Sequence, residues 1–186
     1  MKMTRNKSIA LFALLVLLMA ITRSHHFDSL THLPDASLAA FLLAGIYLPL
    51  AAFPALLLVA GVADYSAINY AGVSDWCLSP AYWFLIPTYA VMWYAGRFYA
   101  AHHSQSWRGL SLFAATALVS TSAAFVISSG SFYLFSGRFA EMTALQYANS
   151  VAWYYVPYLT SAFLYLAIAA GIHIIASNLS GRSAHA

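Results

Sequence analysis

The only cysteine of this chain, Cys77, lies in the stretch SDWCLSPAYW at residues 74–83. The serine and proline at 79–80 are typical of a helix N-terminus, because serine caps the first turn and proline fits within it. Backbone N–H groups and the helix dipole favour an anion there, so a nearby thiol is expected to ionise readily. Cys77 is therefore a candidate metal ligand or nucleophile. The alternative is a buried cysteine that packs as a small apolar side chain.

Histidine pairs at 25–26, with His32 nearby, and at 102–103 provide the other candidate ligands. Imidazole is a common nitrogen ligand of transition metals, although such pairs also occur as polar residues at a membrane boundary. One thiolate and one imidazole are too few for a structural zinc site, which uses four ligands. They suit the two axial positions of a metal that a macrocycle already holds, as in heme or a corrinoid.

Asp64 precedes Cys77 and is expected near the membrane surface, either in water or bound to polar groups of a ligand. Aromatic residues crowd the same region: Tyr65, Tyr70, Trp76, Tyr82 and Trp83. These side chains form either the interfacial belt that is common in membrane proteins or the walls of a site for a large, flat ligand.

The composition indicates an integral membrane protein. Of 186 residues, 62% are hydrophobic and 7% are charged, whereas soluble domains carry about 25% charged residues. The basic residues are scattered, which argues against nucleic-acid binding. Phosphate-binding loops and the common hydrolase motifs are absent from the sequence. We therefore expect one transmembrane domain over residues 1–186.

Hydropathy predicts six membrane helices, at about residues 8–22, 36–50, 53–63, 79–99, 110–128 and 147–176. Pro49 and Pro54 divide the apolar run 36–62 into two helices; one kinked helix there, and hence five in all, is the alternative. The first span also resembles a signal peptide, but its exit is a poor cleavage site, so we retain it as a helix.

Charge asymmetry predicts that both termini lie in the cytoplasm. Six of the eight basic residues then lie inside, and only Arg23 and Arg138 lie outside, in agreement with the positive-inside rule. This topology puts the loops 23–35, 64–78 and 128–142 on the outer face. Since these loops carry most of the reactive side chains, we expect a binding site that opens to the outside.

The segment DYSAINYAGVSDWCLSPAYW at 64–83, preceded by RSHHF at 23–27, resembles the solitary vitamin B12 S-components of energy-coupling factor (ECF) transporters, the BtuM family. The specific resemblance covers about residues 23–85. It implies an all-α integral membrane fold, a six-transmembrane-helix bundle like other ECF transporter S-components, in the bacterial inner membrane. It also implies capture of cobalamin or cobinamide from outside.

The family's cysteine binds the cobalt of cobalamin and is linked to the loss of its cyanide ligand, and Cys77 matches that cysteine. Asp64 and Tyr82 match the polar and aromatic positions grouped with it. The resemblance makes His25 the candidate for the opposite axial position. The remaining candidates for this site are Trp76 and Tyr65.

The resemblance implies an ECF energising module as partner, with a transmembrane coupling subunit and ATPases, besides membrane lipid. The small-residue spacing that many S-components carry on their first helix occurs here on the second, at Ala40 and Ala44, which leaves docking to a shared module open. Arg23 or Arg138 is a candidate contact for the nucleotide phosphate of cobalamin.

Two other functions remain compatible with the residues. One is a small heme-binding membrane protein with cysteine or histidine axial ligands. The other is a non-catalytic membrane assembly subunit that binds no ligand.

Overall fold

The computed structural model describes residues 3–23, 33–70 and 72–183, without the side chains of 77 and 177–183. Over these ranges the chain forms six α-helices and no strand, so the expected all-α class is confirmed. The helices are α1 (Arg5–Arg23), α2 (Ser37–Tyr47), α3 (Ala52–Tyr70), α4 (Leu85–His102), α5 (Trp107–Phe135) and α6 (Ala144–Ser183). Two short 3-10 helices, Asp75–Cys77 and Pro80–Phe84, lie between α3 and α4.

Four helices are long and apolar enough to cross a membrane: α1, α3, α5 and residues 144–176 of α6. Only 17–22% of the most apolar window of each is buried inside the molecule. Because the remaining apolar surface faces outward, the chain is a multi-pass membrane protein. Helix α2 has 11 residues, about 16 Å, against a hydrocarbon thickness of about 30 Å. Six crossings and cytoplasmic termini stay predictions.

Helix α2 forms the centre of the bundle. Nine of its 11 residues are buried, as expected for a helix that is apolar all round. It crosses α4 closely: a Cβ atom at Gly45 would collide with the carbonyl of Trp93, and one at Gly96 with the carbonyl of Leu42. The ring of Phe41 on α2 stacks on that of Tyr89 on α4, with 4.3 Å between centroids.

The small residues that the sequence shows on the second helix instead of the first serve this internal packing. Ala40 and Ala44 are fully buried. A coupling subunit could therefore not reach them without separating the helices.

Helices α3 and α5, like α6, extend beyond their predicted ends. The sequence predicts a loop from residue 64, but α3 continues to Tyr70, and α5 continues to Phe135 instead of ending near 128. Hydropathy marks where a helix leaves the bilayer, whereas glycine with a positive φ marks where the chain can turn out of a helix. Gly72 and Gly137, with φ of 70° and 72°, lie just beyond these ends.

The predicted helix start at Ser79 is partly wrong. The Pro80–Phe84 turn is a 3-10 helix, Ser79 makes no side-chain capping bond, and α4 begins only at Leu85. Cys77 is the last residue of the other 3-10 helix, which Ser74 caps by accepting a bond from the Trp76 N–H at 3.2 Å. The long helix whose dipole was expected to act on Cys77 therefore begins further along the chain.

Helix ends alternate between the two ends of the bundle. At one end of the bundle, which we call the Arg23 end, lie the last residue of α1, the first residue of α2 and the first turns of α4. At the opposite end, which we call the His173 end, lie the last residue of α2, the last turn of α4 and part of α6. The candidate residues around Cys77 belong to the Arg23 end.

Candidate functional site

A buried arginine organises the Arg23 end. Arg23 is 3% exposed, and it donates from Nε to Oδ1 of Asp64 at 2.6 Å and from Nη2 to Oδ2 at 2.8 Å. Its Nη1 donates to Ser37 Oγ at 2.9 Å and to the hydroxyl of Tyr89. The paired, planar geometry satisfies the charge where little water reaches it. We call Arg23, Ser37, Asp64, Tyr82 and Tyr89 the Arg23 cluster.

Tyr82 joins the same carboxylate. Its hydroxyl donates to Oδ2 of Asp64 at 2.7 Å, across 18 positions of sequence. Burial raises the pKa of Tyr82, and the hydrogen bond to Asp64 raises it further. The phenol therefore stays protonated and remains a donor. The structure thus brings together Asp64 and Tyr82, two of the residues that the sequence placed in one site.

Trp76 lies at the surface and links two loops. The guanidinium of Arg138 sits 3.9 Å from the centroid of the Trp76 ring, a cation–π contact. Because Trp76 precedes Cys77 in the same 3-10 turn, this contact fixes the Cys77 turn beside the connection between α5 and α6. Stacking of Phe84 on Phe135 at 4.7 Å holds the following turn against α5 as well.

Among the remaining candidates, Tyr65 lies outside the Arg23 cluster. Tyr65 is 62% exposed, because one residue along α3 from Asp64 is a rotation of about 100°. The thiol of Cys77 lies outside the described side chains. His25, His26 and His32 fall outside the described residues altogether.

The part of the chain that the structure describes contains no group of three or more histidine, cysteine, aspartate or glutamate residues that could hold a metal ion. The candidate ligands that the sequence puts at this end, the Cys77 thiol and His25, lie outside the described side chains and residues and do not enter that count.

Sequence reasoning missed the role of Arg23. It treated Arg23 as a residue of an outer loop and as a candidate for a phosphate contact, whereas all three of its guanidinium nitrogens face partners inside the protein. A charged residue at the end of an apolar helix usually pairs with an opposite charge on another helix. That rule, applied to Arg23 and Asp64, would have found the pair. Of the two arginines that the sequence offered for a phosphate contact, Arg138 is the exposed one.

The comparison with known proteins does not identify a family for this chain. No protein-family model matches this chain, and no curated protein matches it. The functional argument therefore depends on the residues of the site and on their geometry.

Proposed function

We propose that this protein captures cobalamin at the Arg23 end for uptake across the membrane, and that Cys77 is an axial ligand of the cobalt. The observation that supports this most is the hydrogen bond between Tyr82 and Asp64. These are the two positions that the family resemblance groups with Cys77, and the fold joins them beside the turn that carries it.

The chemistry suits this assignment. A corrin ring fills the equatorial positions of cobalt, so one protein thiolate suffices as an upper ligand. The Cys77 thiolate would donate an electron pair to cobalt(III) while cyanide leaves with the pair that bound it. The thiol proton passes to solvent, and the oxidation state of cobalt does not change. His25 is the candidate for the opposite axial position.

The surroundings provide both polar and aromatic contacts for a large flat ligand. Asp64 is held in place by Arg23 and Tyr82, which restricts its carboxylate to one orientation. Trp76 and Tyr65 are more than half exposed at the same end and would pack against the corrin or its side chains. Arg138 remains the candidate for the nucleotide phosphate.

The proposed orientation puts the Arg23 end outside a bacterial inner membrane. Arg97 lies in α4 towards its C-terminus and contacts the carbonyl of Leu48 just beyond α2, while Arg108 lies in the first turn of α5. Both therefore belong to the opposite, His173 end, which agrees with the positive-inside rule. Inward release of the ligand would require an ECF energising module or another partner, which would dock elsewhere than on Ala40 and Ala44.

Equilibrium binding to the purified protein tests this function. We expect cyanocobalamin and cobinamide to bind and heme to compete poorly. Charge reversal by Arg138→Glu should weaken cyanocobalamin more than cobinamide, which lacks the nucleotide phosphate. Tight binding of heme without corrinoid binding would instead favour a heme protein, and binding of neither would favour an assembly subunit.

A further inference from the structure

A cavity lies at the His173 end, away from the Arg23 cluster. Its volume is about 580 Å³, which is within the usual range for a small-molecule or ion site. It opens between the end of α2, the end of α4, the start of α5 and the last third of α6. The polar residues that line it include Tyr47, Tyr99, His103, Ser104, Gln105, Ser106 and His173.

Two imidazoles meet in this cavity from distant parts of the chain. His103 follows the last residue of α4 and His173 lies in α6, and their ring centroids are 5.7 Å apart with the planes at 86°. Two imidazoles that share one tetrahedral ion at 2.0–2.1 Å from each nitrogen would have centroids roughly 5–6 Å apart. The observed spacing is within that range.

Each imidazole is held through its Nδ1 atom by a tyrosine hydroxyl. Nδ1 of His103 lies 2.9 Å from the hydroxyl of Tyr99, and Nδ1 of His173 lies 3.3 Å from that of Tyr47. When Nδ1–H donates to the phenol oxygen, the lone pair of Nε2 is left to bind a ligand. Metal-binding histidines are usually oriented in this way by a partner on the other ring nitrogen.

One ring nitrogen has no partner. Nε2 of His173 is buried and makes no hydrogen bond to any residue that the structure describes. A buried polar atom without a partner carries an energetic cost and calls for an explanation such as an ion or ligand.

We propose that His103 and His173 bind a divalent transition-metal ion that prefers imidazole, such as Zn²⁺, Ni²⁺ or Cu²⁺, through their Nε2 atoms. Water in the cavity, or a small ligand that enters it, completes the coordination. With two protein ligands the site is weaker than a closed structural site and keeps open positions. It is separate from the cobalt of the proposed cargo, because it lies at the opposite end of the bundle.

The test uses the full chain in detergent, purified with a tag that contains no histidine. Titration with Cu²⁺ followed by electron paramagnetic resonance reports directly bound nitrogen nuclei, and Zn²⁺ competition reports affinity. The variants are His103→Ala and His173→Ala. His102→Ala is the matched control, since this exposed neighbour lies outside the cavity lining, and its Nδ1 is 2.9 Å from the carbonyl of Phe98.

We expect one Cu²⁺ site with two nitrogen ligands in the native protein and in His102→Ala, and its loss in either cavity variant. Tyr47→Phe and Tyr99→Phe keep both ligands but remove the partners of Nδ1, so each should weaken Zn²⁺ binding by about 10–100-fold. These two variants also test the proposal if a histidine variant fails to fold. Equal metal binding by the native protein and by the folded cavity variants would overturn the proposal, as would unchanged affinity in both tyrosine variants.

Discussion

At the residue scale, Arg23 and Asp64 form a largely buried ion pair. The carboxylate is 16% exposed and the guanidinium 3%, so neither charge is well hydrated on its own. Removal of one member of such a pair leaves the other buried and unpaired, which costs more than the pair itself contributes. The pair also joins α1 to α3, with further bonds to α2 and α4.

Replacement of Arg23 should therefore destabilise the protein strongly. We expect Arg23→Met to lower the free energy of unfolding in detergent by about 3 kcal/mol. The double variant Arg23→Met with Asp64→Leu should recover part of that loss, because the carboxylate of Asp64 is removed together with its partner, whereas Asp35, 3.7 Å from Arg23 in the native protein, keeps its charge. Arg108→Met is the control, since Arg108 is exposed and should change stability by less than about 0.5 kcal/mol. An Arg23→Met protein as stable as the native one would contradict the buried pair.

Tyr82 provides a finer test of the same cluster. Tyr82→Phe removes one hydrogen bond to a charged acceptor, and since Tyr82 is partly exposed we expect a loss of about 1 kcal/mol in stability. If Asp64 is oriented for the ligand by Tyr82, corrinoid affinity should fall as well. Tyr94→Phe is the control, because Tyr94 is 63% exposed on α4 and belongs neither to the Arg23 cluster nor to the proposed ligand contacts. The same effect from both substitutions would remove Tyr82 from the site.

At the element scale, the contact between α2 and α4 is set by glycine. A methyl group at Gly45 or Gly96 would meet a backbone carbonyl of the facing helix, and a backbone cannot give way as a flexible side chain does. Overpacking of this kind typically costs 1–3 kcal/mol.

We therefore expect Gly45→Ala and Gly96→Ala each to lower the free energy of unfolding by about 2 kcal/mol. Gly61→Ala on α3 is the control, because nothing lies within 4 Å of the added methyl group and alanine is the better helix former. Chemical denaturation followed by circular dichroism would measure all three. If Gly96→Ala were as neutral as Gly61→Ala, the close crossing would be wrong.

Much of the order of the helices follows from the sequence, and the errors of the sequence-based prediction have a common cause. The apolar runs predict all six helices because burial and lipid contact both require apolar side chains, and Pro49 correctly separates α2 from α3. Residues 64–70 were missed because polarity was read as the end of the helix. Asp64 lies in this region. Its ion pair with Arg23 was also missed, because the local sequence pattern does not show a partner in another helix.

At the scale of the whole molecule, the polar groups divide between two ends. The Arg23 cluster, Trp76 and Arg138 lie at one end, and His103 and His173 at the other. The sequence predicts the first end to be outside. The packing of the helices fixes the positions of the two ends relative to each other. One experiment that determines which end faces outside the cell therefore orients both.

Single cysteines introduced into a Cys77→Ala background measure that orientation. Glu141→Cys and Gln105→Cys are exposed positions at opposite ends. A membrane-impermeant maleimide added to spheroplasts should label Glu141→Cys at once and Gln105→Cys only after permeabilisation. The reverse pattern would invert the topology and put the Cys77 turn in the cytoplasm, where it could not capture an external ligand.

The central claim is that the Cys77 thiolate binds cobalt, and the visible absorption spectrum tests it most directly. The protein is purified with cyanocobalamin, beside its Cys77→Ala variant. We expect the native protein to shift the corrinoid absorption bands and to release cyanide, while the variant keeps the spectrum of free cyanocobalamin. An unshifted spectrum for corrinoid bound to the native protein would contradict thiolate ligation, as would the same shift in the Cys77→Ala variant.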